Sequence, residues 1–228
     1  HPFQYQQICF GMQLMLYGYF KKLVIADRLA IFTGTVFGNI ENYEGLIVLI
    51  ALVFSTFQLY MDFSGCMDIV CGTSQLFGIK LENNFNHPFF SKSAAEFWRR
   101  WHITLGTWFK DYVYMPVVTS KWLAKITTFI KNKYGKELAK KVNTTIPLAI
   151  VWLLTGLWHG TGWNYILWGI YWGTIITTST IFTKQYKKLS EILHINTTSR
   201  EYQRFQVFRT FFIFTFARLI TAPNTLED

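Results

Sequence analysis

Apolar and polar positions alternate along this chain in blocks the length of membrane spans. Residues 8–20 are apolar and end at Lys21-Lys22; apolar character resumes from Leu23 to about Ile40, broken by Asp27 and Arg28. This predicts a membrane helix, a basic boundary and a shorter interfacial helix. Gly45 to Met61 is a charge-free run of 17 residues, near the lower end of the about 17–25 that cross a bilayer. Asp62 is expected to end it. Residues 63–79, rich in small residues and containing Asp68, predict a second helix packed within protein rather than against lipid. The stretch 80–103 is polar and aromatic. Its asparagine cluster before Pro88 predicts a turn, and Ser93 three residues before Glu96 predicts a capped helix start. Residues 103–118 are too short and too charged to span, which predicts a re-entrant or interfacial segment.

Residues 121–141 carry seven lysines against one acid, Glu137, and read as a cytoplasmic loop by the positive-inside tendency. The next 42 residues, 142–183, contain no Lys, Arg, Asp or Glu. With a break at Gly160-Thr161-Gly162, they predict two spans, about 143–159 and 163–183. A second basic loop over 184–204 returns to the same side. A last apolar helix follows over 205–221, with Arg209 and Arg218 reaching for the interface. Residues 222–228 read as a loop leaving that helix. The expectation is an all-α polytopic transmembrane fold with re-entrant or interfacial helices. It forms one domain over 1–228, as an internal stretch of a longer protein with further spans before and after it.

Composition strengthens this reading. Hydrophobic residues make up 51%, aromatics 19% and charged residues 15%, against about 25% charged in soluble domains. The net charge of +9 comes from basic residues between apolar runs, so it points to the bilayer and away from nucleic acid. Cys9, Cys66 and Cys71 have neither disulfide-framework nor zinc-site spacing, and no metal site is expected. Glycine-rich phosphate loops and nucleophile elbows are absent from the sequence, so covalent serine chemistry has no support.

His159, in Thr155-Gly156-Leu157-Trp158-His159-Gly160-Thr161-Gly162, is the sharpest chemical feature. An ionisable residue at membrane depth is costly and marks a functional candidate, and imidazole offers a neutral proton acceptor near pH 7. The alternative is a histidine hydrogen-bonded at a helix end. The flanking glycines are expected to let substrate approach closely. His102 follows Phe97-Trp98-Arg99-Arg100-Trp101; these residues read either as an interfacial belt or as a polar site for a phosphate or carboxylate. Asp62 reads as an ion-pair or helix-end residue, with a substrate-binding role as the alternative. His1, His87 and His194 read as solvated.

Several motifs together resemble the membrane-bound O-acyltransferase family: Tyr60-Met61-Asp62-Phe63-Ser64-Gly65, Glu82-Asn83-Asn84-Phe85-Asn86, Phe97 to Leu105, Asp111-Tyr112-Val113-Tyr114, Gly156-Leu157-Trp158-His159-Gly160 and Gly18 to Asp27. The nearest branch in wording is the bacterial one, with alginate O-acetylation proteins and teichoic-acid D-alanyl transferases. The resemblance implies that His159 matches the catalytic histidine and His102 the second characteristic histidine of one site. Trp158, Trp101, Arg99, Arg100 and Asp62 are the expected substrate-binding residues. It implies no bound cofactor, with an acyl thioester (acetyl-CoA or an acyl-carrier protein) as co-substrate. The expected acceptor is an extracellular polysaccharide or cell-wall polymer. An acyl-carrier protein and an extracellular hydrolase-like acyltransferase are the expected protein partners, and the location is the bacterial cytoplasmic (inner) membrane. D-alanyl transfer to teichoic acid is the nearest alternative activity. A transporter, or a scaffold relaying acyl groups without intrinsic transfer, is the alternative of a different class. The lysine-rich stretch 121–141 is longer than in the alginate type, and would contact a partner or hold the orientation.

Overall fold

The computed structural model describes residues 5–221; the expectations for His1 and for 222–228 lie outside the described residues. The described residues are helical and contain no strand beyond an isolated antiparallel bridge between Phe85 and Trp101. The elements are α1 (Tyr5–Phe37), α2 (Leu46–Leu76), α3 (Ala94–Arg100), α4 (Ile103–Phe109), α5 (Met115–Val118), α6 (Lys121–Tyr134), α7 (Lys136–His159), α8 (Trp163–Ile181), α9 (Thr183–Ile192) and α10 (Arg200–Thr221). Three of them, α1, α2 and α7, are long and apolar enough to cross a membrane. In their most apolar stretches only 11%, 22% and 22% of residues are buried within the structure. Apolar surface left uncovered on this scale suits lipid rather than water as the surrounding solvent.

The chain divides into two compact units. The first takes the chain to Pro88, Arg100–Thr104 and the residues from Phe212 onward; the second takes Phe89–Arg99 and Leu105–Phe211.

In the first unit α1 packs along α2. Neither helix breaks where the charged residues predicted a boundary. Lys21 and Lys22 lie in a π-helical stretch, Phe20–Ala26, inside α1. Lys21 Nζ sits 2.6 Å from Asp68 Oδ2, and Lys22 Nζ sits 2.7 Å from Asp62 Oδ1 and 3.0 Å from Asp27 Oδ1. Each charge that was to end a helix is neutralised by the neighbouring helix, so both helices run through. A π turn holds more residues than an α turn and is rare, occurring mostly as bulges inside α-helices; here two successive lysines both reach carboxylates. The helices touch through glycine. A Cβ on Gly18 would stand 2.6 Å from the Gly65 carbonyl oxygen, so only glycine permits this approach.

In the second unit α7 and α8 form the hairpin that the Gly160-Thr161-Gly162 break predicted. α8, 19 residues long and rich in Trp, Thr and Gly, is not among the three helices long and apolar enough to cross alone. Gly156 and Gly169 make the closest approach. A Cβ on Gly156 would lie 2.5 Å from the Tyr165 carbonyl oxygen and 3.2 Å from Gly169 Cα. The lysine-rich stretch, expected as a loop, is instead helix α6 and the first turns of α7. The second basic stretch likewise contains α9 and the start of α10. Lysine is a good helix former, and α6 has Ser120 as its cap, accepting from the Leu123 N–H at 3.3 Å. Lys184 at the start of α9 pairs with Glu137 at the start of α7, 3.0 Å apart. Both basic stretches therefore lie at the end of the hairpin away from Gly160. The expected interfacial segment at 103–118 is α4, a π-helical turn at Lys110–Tyr114, and α5.

Candidate active site

His159 is the last residue of α7, and Gly160, with an extended backbone, turns the chain away. Its ring is exposed, but it rests on aromatic walls. The Trp168 ring meets it edge-on at 4.9 Å, the Tyr165 ring stacks at 6.4 Å, and Trp158, itself exposed, lies at 4.8 Å. Trp168 belongs to a cluster with Trp98 (5.6 Å), Trp152 (6.3 Å) and Trp172 (6.5 Å). Trp172 is fully buried and stacks on Phe97 at 6.3 Å. Such edge-to-face packing is rigid and favourable by about 0.5–1.5 kcal/mol per pair beyond the buried area. The platform under His159 is thus a block of tryptophans from α3, α7 and α8. The glycines beside the histidine do not leave room for substrate. The Tyr165 ring fills the space at Gly160, 2.5 Å from where a Cβ would be, and the Tyr165 carbonyl and Gly169 fill that at Gly156.

His102 lies in the first unit, in the bend between α3 and α4. Its φ is +48°, a left-handed conformation that costs an ordinary residue about 1–2 kcal/mol. The bend is clamped to the asparagine-rich segment. The Asn86 N–H donates to the Arg100 carbonyl at 2.9 Å, and the Ile103 N–H to the Asn84 carbonyl at 3.0 Å. The Asn84 side-chain oxygen lies 3.0 Å from His102 Nδ1. It also accepts from the Thr104 N–H at 3.2 Å and the Thr104 hydroxyl at 2.7 Å. Phe63 meets the His102 ring edge-on at 4.8 Å. Trp101 is buried against Phe85, Tyr60 and Phe214 at 5.0, 5.8 and 5.1 Å.

The other predicted residues divide. Arg100 donates to the His87 carbonyl at 3.4 Å, whereas Arg99 lies in the second unit and is exposed. Asp62 is engaged by Lys22, the ion-pair reading of its position. His87 and His194 share the left-handed backbone of His102, with φ of +46° and +51°. His102, Trp101 and Arg100 thus belong to one bend, and His159 and Trp158 to one helix end. Two groups escaped the sequence reading. Asn84 stood within a cluster that read as a turn and as one family motif, with no role given to the residue itself. Trp98, Trp152, Trp168 and Trp172 were scattered over three helices, and only their spacing of four on α8 hinted at a shared face. The cap did form, with Glu96 N–H donating to the Ser93 hydroxyl at 3.2 Å, but the Glu96 carboxylate reaches one residue further back and takes the Lys92 N–H at 2.8 Å.

Residues 6–130 match the family described as MBOAT, membrane-bound O-acyltransferase. The chain belongs to that family. The match includes Asp62, Asn84 and His102 and ends before His159. Among relatives of this membrane-bound O-acyltransferase chain, the peptidoglycan O-acetyltransferase of Helicobacter pylori is 33% identical over 184 residues, 81% of this chain and 32% of its own length. A probable alginate O-acetylase of Azotobacter vinelandii is 38% identical over 164 residues, 72% of this chain and 29% of its own. The teichoic acid D-alanyltransferase of Bacillus subtilis is 38% identical over 130 residues, 57% of this chain and 30% of its own. The chain therefore spans about a third of the length of the relatives it matches.

Proposed function

We propose that the complete protein is a multi-pass O-acyltransferase of the bacterial cytoplasmic membrane. It moves an acetyl group from a thioester donor, acetyl-CoA or an acyl-carrier protein, to a hydroxyl of an extracellular polysaccharide or cell-wall polymer. An extracellular hydrolase-like acyltransferase is its expected downstream partner. The observation that carries the reading is the placement of His159. A single imidazole closes a long apolar helix on a rigid tryptophan platform, in a chain whose relatives include two named O-acetyl transferases.

In this reading His159 takes the proton of the acceptor hydroxyl as general base. The oxygen attacks the thioester carbonyl carbon, and the tetrahedral oxyanion collapses with expulsion of the thiolate. The thiolate then recovers the proton from the imidazolium, so the enzyme returns to its starting state. His102 serves the same reaction, either by orienting the acceptor or by steadying the oxyanion. Trp158, Trp101, Arg99 and Arg100 contribute to binding donor and acceptor, and Asp62 acts through the charge pairs of the α1–α2 helices.

General-base assistance is worth about 100- to 10,000-fold. The full-length His159→Ala protein is expected to lose transfer by a factor in that range while inserting normally. Wild-type transfer by this variant would remove the assignment. The acyl group is read from polymer isolated from cells with and without the gene, as ester released by mild base. Loss of acetate supports this reading, and loss of D-alanine instead supports the activity named for the Bacillus subtilis relative.

A further inference from the structure

We propose that Asn84 is a positioning residue that locks His102 in the Nδ1–H form, so that the neutral ring presents Nε2 as a hydrogen-bond acceptor and orients the acceptor hydroxyl rather than stabilising the oxyanion. The inference rests on the participation of His102 in the transfer reaction.

The Thr104 backbone N–H can only donate, and it points to one side-chain atom of Asn84 at 3.2 Å. That atom must be the carbonyl oxygen, because the amide nitrogen has no lone pair to offer. The Thr104 hydroxyl, which can donate or accept, then donates to that oxygen at 2.7 Å. The same oxygen lies 3.0 Å from His102 Nδ1, so Nδ1 carries the hydrogen. A neutral imidazole has one N–H. Nε2 is then the lone-pair nitrogen and, while the ring is neutral, has nothing to donate to a developing oxyanion.

The framework explains why this form persists. Rotating Asn84 to present its NH2 group would set two donors against the Thr104 N–H and strand that donor. Flipping the His102 ring would lose the Nδ1 bond and set Cδ2 against the Asn84 oxygen. The Ile103 N–H bond to the Asn84 carbonyl ties the two segments by their backbones as well. The left-handed φ of His102 is thus held by bonds on both sides of the residue. Partner groups of this kind, which fix the tautomer and orientation of a working histidine, typically change activity by about 10–100-fold when removed.

The test uses full-length protein in native membranes, with acetyl-CoA as donor and the host's own surface polymer as acceptor. Three variants are compared with wild type across pH: His102→Ala, Asn84→Ala and Asn84→Asp. Asn84→Asp is the informative one, since its carboxylate still accepts both Thr104 bonds and so keeps the bend. A carboxylate facing the ring favours the imidazolium, which cannot accept the acceptor's hydrogen bond. The expected result is an acidic limb of kcat/KM for the polymer displaced to higher pH by about one unit or more. The polymer KM rises below that limb, the acetyl-CoA KM is unchanged, and transfer recovers at high pH. Asn84→Ala is expected to lose about 10–100-fold at every pH without that recovery. An Asn84→Asp profile that superimposes on wild type, or that gains activity at low pH as an imidazolium oxyanion donor would, overturns the proposal while leaving the role of His102 standing. Full activity of His102→Ala removes the role of His102 and the proposal with it.

Discussion

The distances around single residues decide what each glycine and histidine contributes. Gly156 is surrounded by the Tyr165 carbonyl and Gly169, so Gly156→Ala forces a methyl into backbone that cannot retreat. Overpacking of this sort costs about 1–3 kcal/mol. The purified variant is therefore expected to melt several degrees below wild type in the same detergent. Gly34, with open space around it, is the control: Gly34→Ala is expected to match or exceed wild-type stability. A drop for Gly34→Ala equal to that for Gly156→Ala would show that the measurement reports detergent effects and not the α7–α8 contact. At this same scale the sequence singled out His159 as a candidate, because an isolated histidine at the end of an apolar run stands out, and His102 by its setting among arginines and tryptophans. Asn84 was not legible, because asparagine in a polar segment before proline has a sufficient explanation as a turn former. Only the donor geometry of Thr104, twenty residues away, gives it a second role.

Helices were legible where apolar runs were unbroken and illegible where a charge was answered by a distant residue. The hairpin of α7 and α8 was predicted within a few residues at the Gly160-Thr161-Gly162 turn. The continuous α1 and α2 were each divided in two, since Lys21, Lys22 and Asp62 look like boundaries until their partners are known. The basic stretch at 121–141 looked like a loop by charge alone, yet its lysines favour helix and α6 buries Leu123 completely. The ion pairs make a prediction at this level. Lys21 and Asp68 have side chains only 13% and 23% exposed, so Lys21→Met leaves a carboxylate without its counter-charge. Breaking a buried pair costs about 3–5 kcal/mol; partial exposure here places the expected loss at the lower end. The double variant Lys21→Met with Asp68→Leu is expected to recover most of it. Equal instability of the single and double variants, by thermal melting of the purified full-length protein, would mean that the pair does not couple the helices.

Over the whole molecule, the fold class and family were legible because composition and motif order survive without coordinates, whereas the division into two units was not signalled by any linker. Both basic stretches lie at one end of the α7–α8 hairpin and the Gly160 turn at the other. In a cysteine-free full-length background, a cysteine at position 128 is expected to react with an impermeant maleimide only after cells are opened, as the positive-inside tendency requires. Labelling of position 128 on intact cells would reverse the assigned orientation.

The paired lysines and aspartates of α1 and α2 also bear on how the protein enters the bilayer. A single lysine at the centre of an inserting helix costs about 2.5–3.5 kcal/mol, and α1 carries two in adjacent positions. Released alone by the insertion machinery, it would meet lipid with Lys21 bare and Lys22 answered by Asp27 of the same helix alone, and α2 would expose its carboxylates. Lateral exit is favourable once the pair has zipped together. The two helices therefore make a single cargo for the translocon, and truncating the full-length nascent chain between them should leave α1 outside the bilayer, where a cysteine placed in it reacts with a water-soluble maleimide.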